Sequence, residues 1–192
     1  MHVSDETSLG QAREFSHVLT CVDVDSPKSL FDFRSRAQGQ IAMNESQFVP
    51  PEGAFTRTVP IRFSHCDPAG VVYFPHYFDM FNGLIEDWYT EQLGVDYSKL
   101  ILGDRHGFPY VHIETDFKKP SRMGEHLDLT LLLTQVGRSS LSVVIVGHIG
   151  GVERLRARLV TAMTSLETQR SVPLPQALRQ KFETYMKGTG QA

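Results

Sequence analysis

From residue 55 onward, apolar and polar residues alternate in a way that separates strands from one long helix. Phe55, Val59, Ile61 and Phe63 interleave with Thr56, Thr58, Arg62 and Ser64, a period of two that predicts a half-buried strand. Pro60 cannot donate to a ladder, so it puts this strand at an edge or a bulge. Next, Tyr77, Phe81, Leu84 and Trp88, with Phe78, Ile85 and Tyr89, recur every three to four residues and predict a helix over 75–93. Pro75 suits its first position, and Gly94 suits its stop.

A loop rich in glycine and charge, 94–108, leads to four more alternating segments. Val111, Ile113 and Phe117 share one face of the first, with His112, Glu114 and Asp116 opposite. Leu127, Leu129, Leu131 and Leu133 mark the second; Leu141, Val143 and Ile145 mark the third. The fourth runs over 152–168. Its apolar parity changes after Leu159, which predicts a β-bulge near Leu159–Val160. Gly150-Gly151 and Val136-Gly137-Arg138-Ser139 are short turns, so the segments are consecutive and antiparallel. Pro173 and Pro175 precede a short helix over 176–187. A long apolar helix must bury most of its surface, and a curved sheet wrapping it does that. The fold class is therefore α+β, with about five antiparallel strands around a central helix.

Residues 1–53 read differently. They are polar and mixed, with a short strand over 17–24 and a Phe31/Phe33 pair, and they end in the breaker Pro50-Pro51-Glu52-Gly53. Two readings fit: a weakly ordered N-terminal extension, or a true start at Met43. The division is thus 1–53 extension, 54–170 principal domain, 171–192 short helix and tail. A net charge of −3 gives no nucleic-acid footprint. No apolar run spans a bilayer and no secretory signal opens the chain, so the expected location is the cytoplasm, without membrane or nucleic acid as partner. Cys21 and Cys66 have no zinc-ligand spacing; a reduced pair fits that compartment better than a disulfide.

The candidate chemistry lies between the first strand and the helix, in Phe63-Ser64-His65-Cys66-Asp67-Pro68-Ala69-Gly70-Val71-Val72-Tyr73-Phe74-Pro75-His76-Tyr77. Asp67 sits in a sharp loop facing a helix start, whose free N–H groups suit an anion or a polarised carbonyl. The same residue also suits a plain turn or a helix cap. Gly70 permits close backbone approach to a ligand, and Tyr77 lies where it could border a pocket. His65 beside Cys66 suggests a nucleophile pair, but neighbours in an extended chain point apart. His112, Glu114 and Asp116 share a face without a tighter ligand set, and a solvated or interface face accounts for them better than a metal.

Asp67-Pro68-Ala69-Gly70-Val71-Val72-Tyr73-Phe74-Pro75-His76-Tyr77, with Glu86-Asp87-Trp88-Tyr89 at the helix end, resembles the 4-hydroxybenzoyl-CoA thioesterase type of the hotdog acyl-CoA thioesterases. Phe117-Lys118-Lys119-Pro120-Ser121 and Val136-Gly137-Arg138-Ser139-Ser140 follow in the family's order, and the resemblance spans 55–166. It implies a hotdog fold, hydrolysis of an aromatic or short-chain acyl-CoA, with a 4-hydroxybenzoyl-like acyl group favoured, and a homodimer or homotetramer with sites at the subunit interface. It assigns the catalytic carboxylate to Asp67, the carbonyl-polarising N–H to Phe74, and CoA phosphate contact to the turn of Arg138, Ser139 and Ser140. Arg138 suits an ordinary solvated hairpin nearly as well, and Ser139 and Ser140 suit plain turn residues better than ligands. CoA enters as part of the substrate, with no cofactor or metal. His65, two residues before Asp67, departs from the family, which often carries another acid or a polar residue there. A hotdog that binds acyl-CoA without turnover, as a sensor or interaction module, is the alternative.

Overall fold

The computed structural model describes residues 47–190. The strand expected over 17–24, Phe31, Phe33, Cys21 and the alternative start at Met43 lie outside them.

The chain enters with β1 (Phe55–Pro60), a short turn at Phe63–His65 and helix α1 (Pro75–Asp87). Then come β2 (His106–Gly107), β3 (Tyr110–Phe117), β4 (His126–Val136), β5 (Ser140–Ile149), β6 (Val152–Ala162) and β7 (Thr164–Ser165), and α2 (Gln176–Gly188) closes it. Five strands form one antiparallel sheet in the order β1-β4-β5-β6-β3, and β2 pairs with β7. The inward residues Leu127, Leu129, Leu131, Leu133, Leu141, Ile145, Leu155 and Leu159 are essentially inaccessible, and Tyr77, Phe81, Leu84 and Trp88 of the helix pack on them.

Three local differences from the sequence pattern have physical causes. The first strand stops at Pro60 instead of running to Ser64. Ile61 leaves the ladder, donates to the Glu125 carbonyl and is buried, while Phe63 is 82% exposed. The irregularity at Val160 lies on β3: Val111 is the extra residue between the pairs Tyr110–Thr161 and His112–Val160, while the extra residue of β6 is Arg154, between the pairs Gly147–Leu155 and His148–Glu153. β6 keeps one parity, with Leu155, Ala157, Leu159 and Thr161 all inward. The expected helix over 75–93 continues past Asp87 as a π-turn, Trp88–Gln92, closed by Leu93 N–H to Trp88 O at 3.1 Å. That wider turn lets consecutive residues, Trp88 and Tyr89, both face the core at 1% exposure.

Residues 47–53 dock on the outer face of the sheet. Phe48 N–H donates to Gly151 O at 2.8 Å, and its ring lies 5.1 Å from the His148 ring, with the Arg156 guanidinium 5.9 Å from its centroid. On the same face Arg158 pairs with both Glu114 and Asp116. No helix among the described residues is long and apolar enough to cross a membrane.

Candidate active site

The Asp67 loop is built by its own backbone. Asp67 N–H donates to Val71 O (2.9 Å), Gly70 N–H donates to Asp67 O (2.9 Å), and Gly70 takes φ +74°. That left-handed position favours glycine, and open space surrounds it. Ala69 N–H donates to Asp67 Oδ1 (2.9 Å), which fixes the carboxylate; Oδ2 meets no donor among the described residues. The loop is anchored by Val72 N–H to Ser121 O, and by a bridge between Val71 and Arg122. Cys66 is a free thiol, and it donates to Arg62 O at 3.5 Å rather than to His65.

The chain then turns into α1. Phe74 is the residue before Pro75, already near helical geometry at φ −51° and ψ −34°. Tyr73 N–H goes to His65 O, His76 N–H to Tyr73 O and Tyr77 N–H to Phe74 O. Phe74 N–H meets no acceptor among the described residues. A donor free at a helix start, beside a carboxylate with a free oxygen, can polarise a carbonyl while the carboxylate acts on its carbon.

Beside this loop lies a cavity of about 300 Å³, lined by Val71, Val72, Phe74, Tyr77 and 117–120. Tyr77 is buried, and its ring lies 5.6 Å from Phe117. Burial raises the Tyr77 phenol pKa, so it stays a neutral hydroxyl next to Ser121. Burial, then His76 and Arg62, lower the His65 pKa; its Nδ1 accepts Arg62 N–H at 3.2 Å. The position two residues before Asp67 thus carries a neutral imidazole near pH 7. Among the described residues no group of three or more His, Cys, Asp and Glu could hold a metal.

Asp67 and Gly70 thus share the loop that leads into α1, and Phe74 and Tyr77 line the cavity beside it, which neither Asp67 nor Gly70 lines. Arg138, Ser139 and Ser140 are not with them in one chain. The Asp67 loop bonds to 121–123, just before β4, whereas the 137–140 turn follows its far end, roughly 30 Å along the strand. There the Gly137 and Arg138 carbonyls accept from Arg179, Arg138 O accepts Leu174 N–H, and Ser139 O accepts Met163 N–H. The Arg138 side chain is exposed. Lys118, Lys119 and Pro120, outside the residues expected at the site, also wall the cavity. The available signal was Pro120, a strand breaker three residues beyond the end of β3.

Residues 61–182 match the thioesterase-like superfamily. A 1,4-dihydroxy-2-naphthoyl-CoA hydrolase from Rippkaea orientalis is 30% identical over 129 residues, 66% of this chain and 91% of that protein. One from Acaryochloris marina is 31% identical, over 65% and 90%. A thioesterase superfamily structure from Jannaschia sp. CCS1 superposes with a TM-score of 0.65 at 26% identity, covering 71% of this chain and 95% of that one. The family match takes in the Asp67 loop, α1, the strands from β2 to β7 and the first half of α2, and the chain belongs to the thioesterase-like superfamily.

Proposed function

We propose that this protein is a thioester hydrolase that cleaves an aromatic acyl-CoA to the free acid and CoA. The observation that carries the reading is that Asp67, with one carboxylate oxygen free, and the free Phe74 N–H stand at the two ends of one loop-to-helix junction. The N–H stabilises charge growing on the thioester oxygen. The carboxylate either attacks the carbonyl carbon, expelling CoA thiolate and leaving a mixed anhydride for water to open, or removes a proton from an attacking water. Both routes end with one water consumed and one thiol released. The resemblance favours a 4-hydroxybenzoyl group, whereas the relatives named above act on the bicyclic 1,4-dihydroxy-2-naphthoyl group. The shared feature is a hydroxylated aromatic acyl group, and it defines the substrate class.

The protein works as a homodimer or a higher assembly built on it. β3 is an open edge with Val111, Ile113 and Phe117 all exposed, a row that a second strand would cover. A two-fold axis through its middle pairs β3 with itself antiparallel. The Pro109–Tyr110 end of one copy then lies beside the Phe117 end of the other. The 137–140 turn sits at that Tyr110 end, since Ser139 O bonds Met163 N–H and Pro109 O bonds Ala162 N–H. Arg138, Ser139 and Ser140 of one copy therefore approach the CoA held at the other copy's Asp67 loop.

The test is thiol release from 4-hydroxybenzoyl-CoA, 2-naphthoyl-CoA, butyryl-CoA and acetyl-CoA. Turnover should favour the aromatic thioesters, and Asp67→Asn should lower kcat by about 10²–10⁴-fold. Binding of every thioester without release would instead identify an acyl-CoA sensor, and full activity in Asp67→Asn would refute the mechanism.

A further inference from the structure

The Phe74 N–H belongs to the Tyr73–Phe74 peptide, and two histidines hold that peptide. Tyr73 N–H donates to the His65 carbonyl at 2.9 Å, and the Tyr73 carbonyl accepts His76 N–H at 2.9 Å. A peptide unit is planar, so fixing the Tyr73 carbonyl also fixes the direction of the Phe74 N–H on its opposite side. The side chains of the same two residues meet. The His65 and His76 rings lie 5.8 Å apart, tilted by 43°, and the Tyr73 ring stands 6.1 Å from the His76 ring. Both histidines are half-buried. One imidazole comes from the turn before the Asp67 loop, the other from the first turn of α1. Their contact joins the two ends of the loop that leads from Asp67 to Phe74.

The two rings have opposite needs. His65 Nδ1 accepts Arg62 N–H at 3.2 Å, so a proton on that nitrogen would set donor against donor and break the bond. His65 therefore keeps its place as a neutral ring with its proton on Nε2. His76 Nδ1 instead lies 3.5 Å from Asp79 Oδ2, a partner that suits a protonated ring. Burial, then His76 and Arg62, oppose a charge on His65, and Asp79 favours one. A proton on His65 thus costs the Arg62 bond and adds a cation beside His76, and both strain the residue whose carbonyl carries Tyr73. We infer that His65 is a positioning residue: as a neutral ring braced on His76, it holds the Tyr73–Phe74 peptide so that the Phe74 N–H points at the thioester oxygen, and its protonation releases that peptide. Hydrolysis then has a lower pH limit set by a group that touches no reacting atom. The inference rests on the hydrolase reading and adds what aims its donor.

The pH dependence of kcat, measured on whichever of the four thioesters turns over best, tests it. Wild type should lose activity as pH falls below about 6.5, the ordinary histidine value. His65→Asn puts an amide oxygen in the place of Nδ1. It should keep most of kcat at neutral pH and hold it further into the acid range, because that acceptor does not titrate. His65→Phe keeps a ring without the acceptor and should lower kcat about three- to tenfold even at neutral pH, the worth of one hydrogen bond, with KM little changed. His76→Gln removes the opposing charge, so its acid limb should move up by about half a pH unit, the effect in water of a unit charge 5.8 Å away. Limbs that move in opposite directions are not produced by general loss of stability. An acid limb in His65→Asn that overlays wild type would overturn the inference, and so would full kcat in His65→Phe. If wild type cleaves no thioester, the hydrolase reading fails and the clamp is read by NMR. The Phe74 amide signal should then shift with the same midpoint as the His65 ring protons and lose that step in His65→Asn. A Phe74 amide indifferent to the His65 titration would overturn the clamp itself.

Discussion

Phe74 contributes to the candidate site through its backbone, and this makes an unusual substitution informative. Its φ of −51° is one that proline tolerates, so Phe74→Pro deletes the N–H with little change in chain direction. Loss of one such donor costs about 2.7–4 kcal/mol of transition-state stabilisation, so kcat should fall by 10²–10³. Phe74→Ala keeps the donor and should retain most of kcat; equal losses in both variants would remove the N–H from the mechanism. A different residue governs the acid limb of stability. His148 is 5% exposed, its Nε2 lies 3.3 Å from Thr130 Oγ1, and its Nδ1 has no partner. Burial lowers its pKa below 6.5, against the opposing charges of Asp128 and Glu153. The unfolded chain therefore takes up a proton here more readily than the folded one. Stability should fall as pH drops below about 6.5. Melting at pH 7.5 and 5.5 should show a smaller loss for His148→Gln than for wild type, and equal losses would exclude His148 as a source.

At the scale of elements, α2 is the piece that ties the sheet to the helix. Phe182 is fully buried and stacks on Trp88 at 5.7 Å. The Tyr185 hydroxyl accepts Phe55 N–H at 2.9 Å and donates to Leu131 O at 2.7 Å, so it joins β1, β4 and α2. Burial pushes its pKa up to about 12, which keeps it a neutral donor. Tyr185→Phe strands a buried N–H and should cost about 1–3 kcal/mol, read as a lower urea midpoint at unchanged slope. An unshifted midpoint would mean that solvent replaces the hydroxyl. The strands of the main sheet and α1 were legible from periods of two and of three to four, and α2 from the prolines Pro173 and Pro175 that precede it. The π-turn was not, since Trp88 and Tyr89 look like ordinary members of the helical stripe. The position of the bulge was missed because β6 shows only half of the ladder, and the extra residue, Val111, is on its partner. The loop chemistry was legible as a run, Asp67 to Tyr77. The separation of Arg138 from it was not, because strand length becomes distance only once the order of strands is known.

At the scale of the molecule, the described residues leave a row of exposed apolar side chains along β3 and around the Asp67 loop. Val111 (62%), Ile113 (40%) and Phe117 (52%) are exposed along one strand edge, and Tyr73, Phe74 and Met123 are exposed around the Asp67 loop. The other sheet edge is defended: β1 ends in Pro60, and its Arg57 is tied to Asp87 and Glu91 of the helical segment. Among the described residues one sheet edge is undefended and the other is not, which favours the proposed two-fold pair over an open stack of chains. Ile113 is near the middle of that edge and does not line the cavity beside the Asp67 loop. Ile113→Lys places a charge beside its own counterpart across the axis, while costing a single chain little at an already exposed position. Light scattering should give twice the 21.6 kDa chain mass, or a higher multiple, for wild type and a mass near 21.6 kDa for the variant. Aromatic acyl-CoA turnover should fall in step with the loss of pairing and recover as protein concentration is raised. A wild-type mass of 21.6 kDa with full turnover would show that one chain suffices, and would refute the shared arrangement.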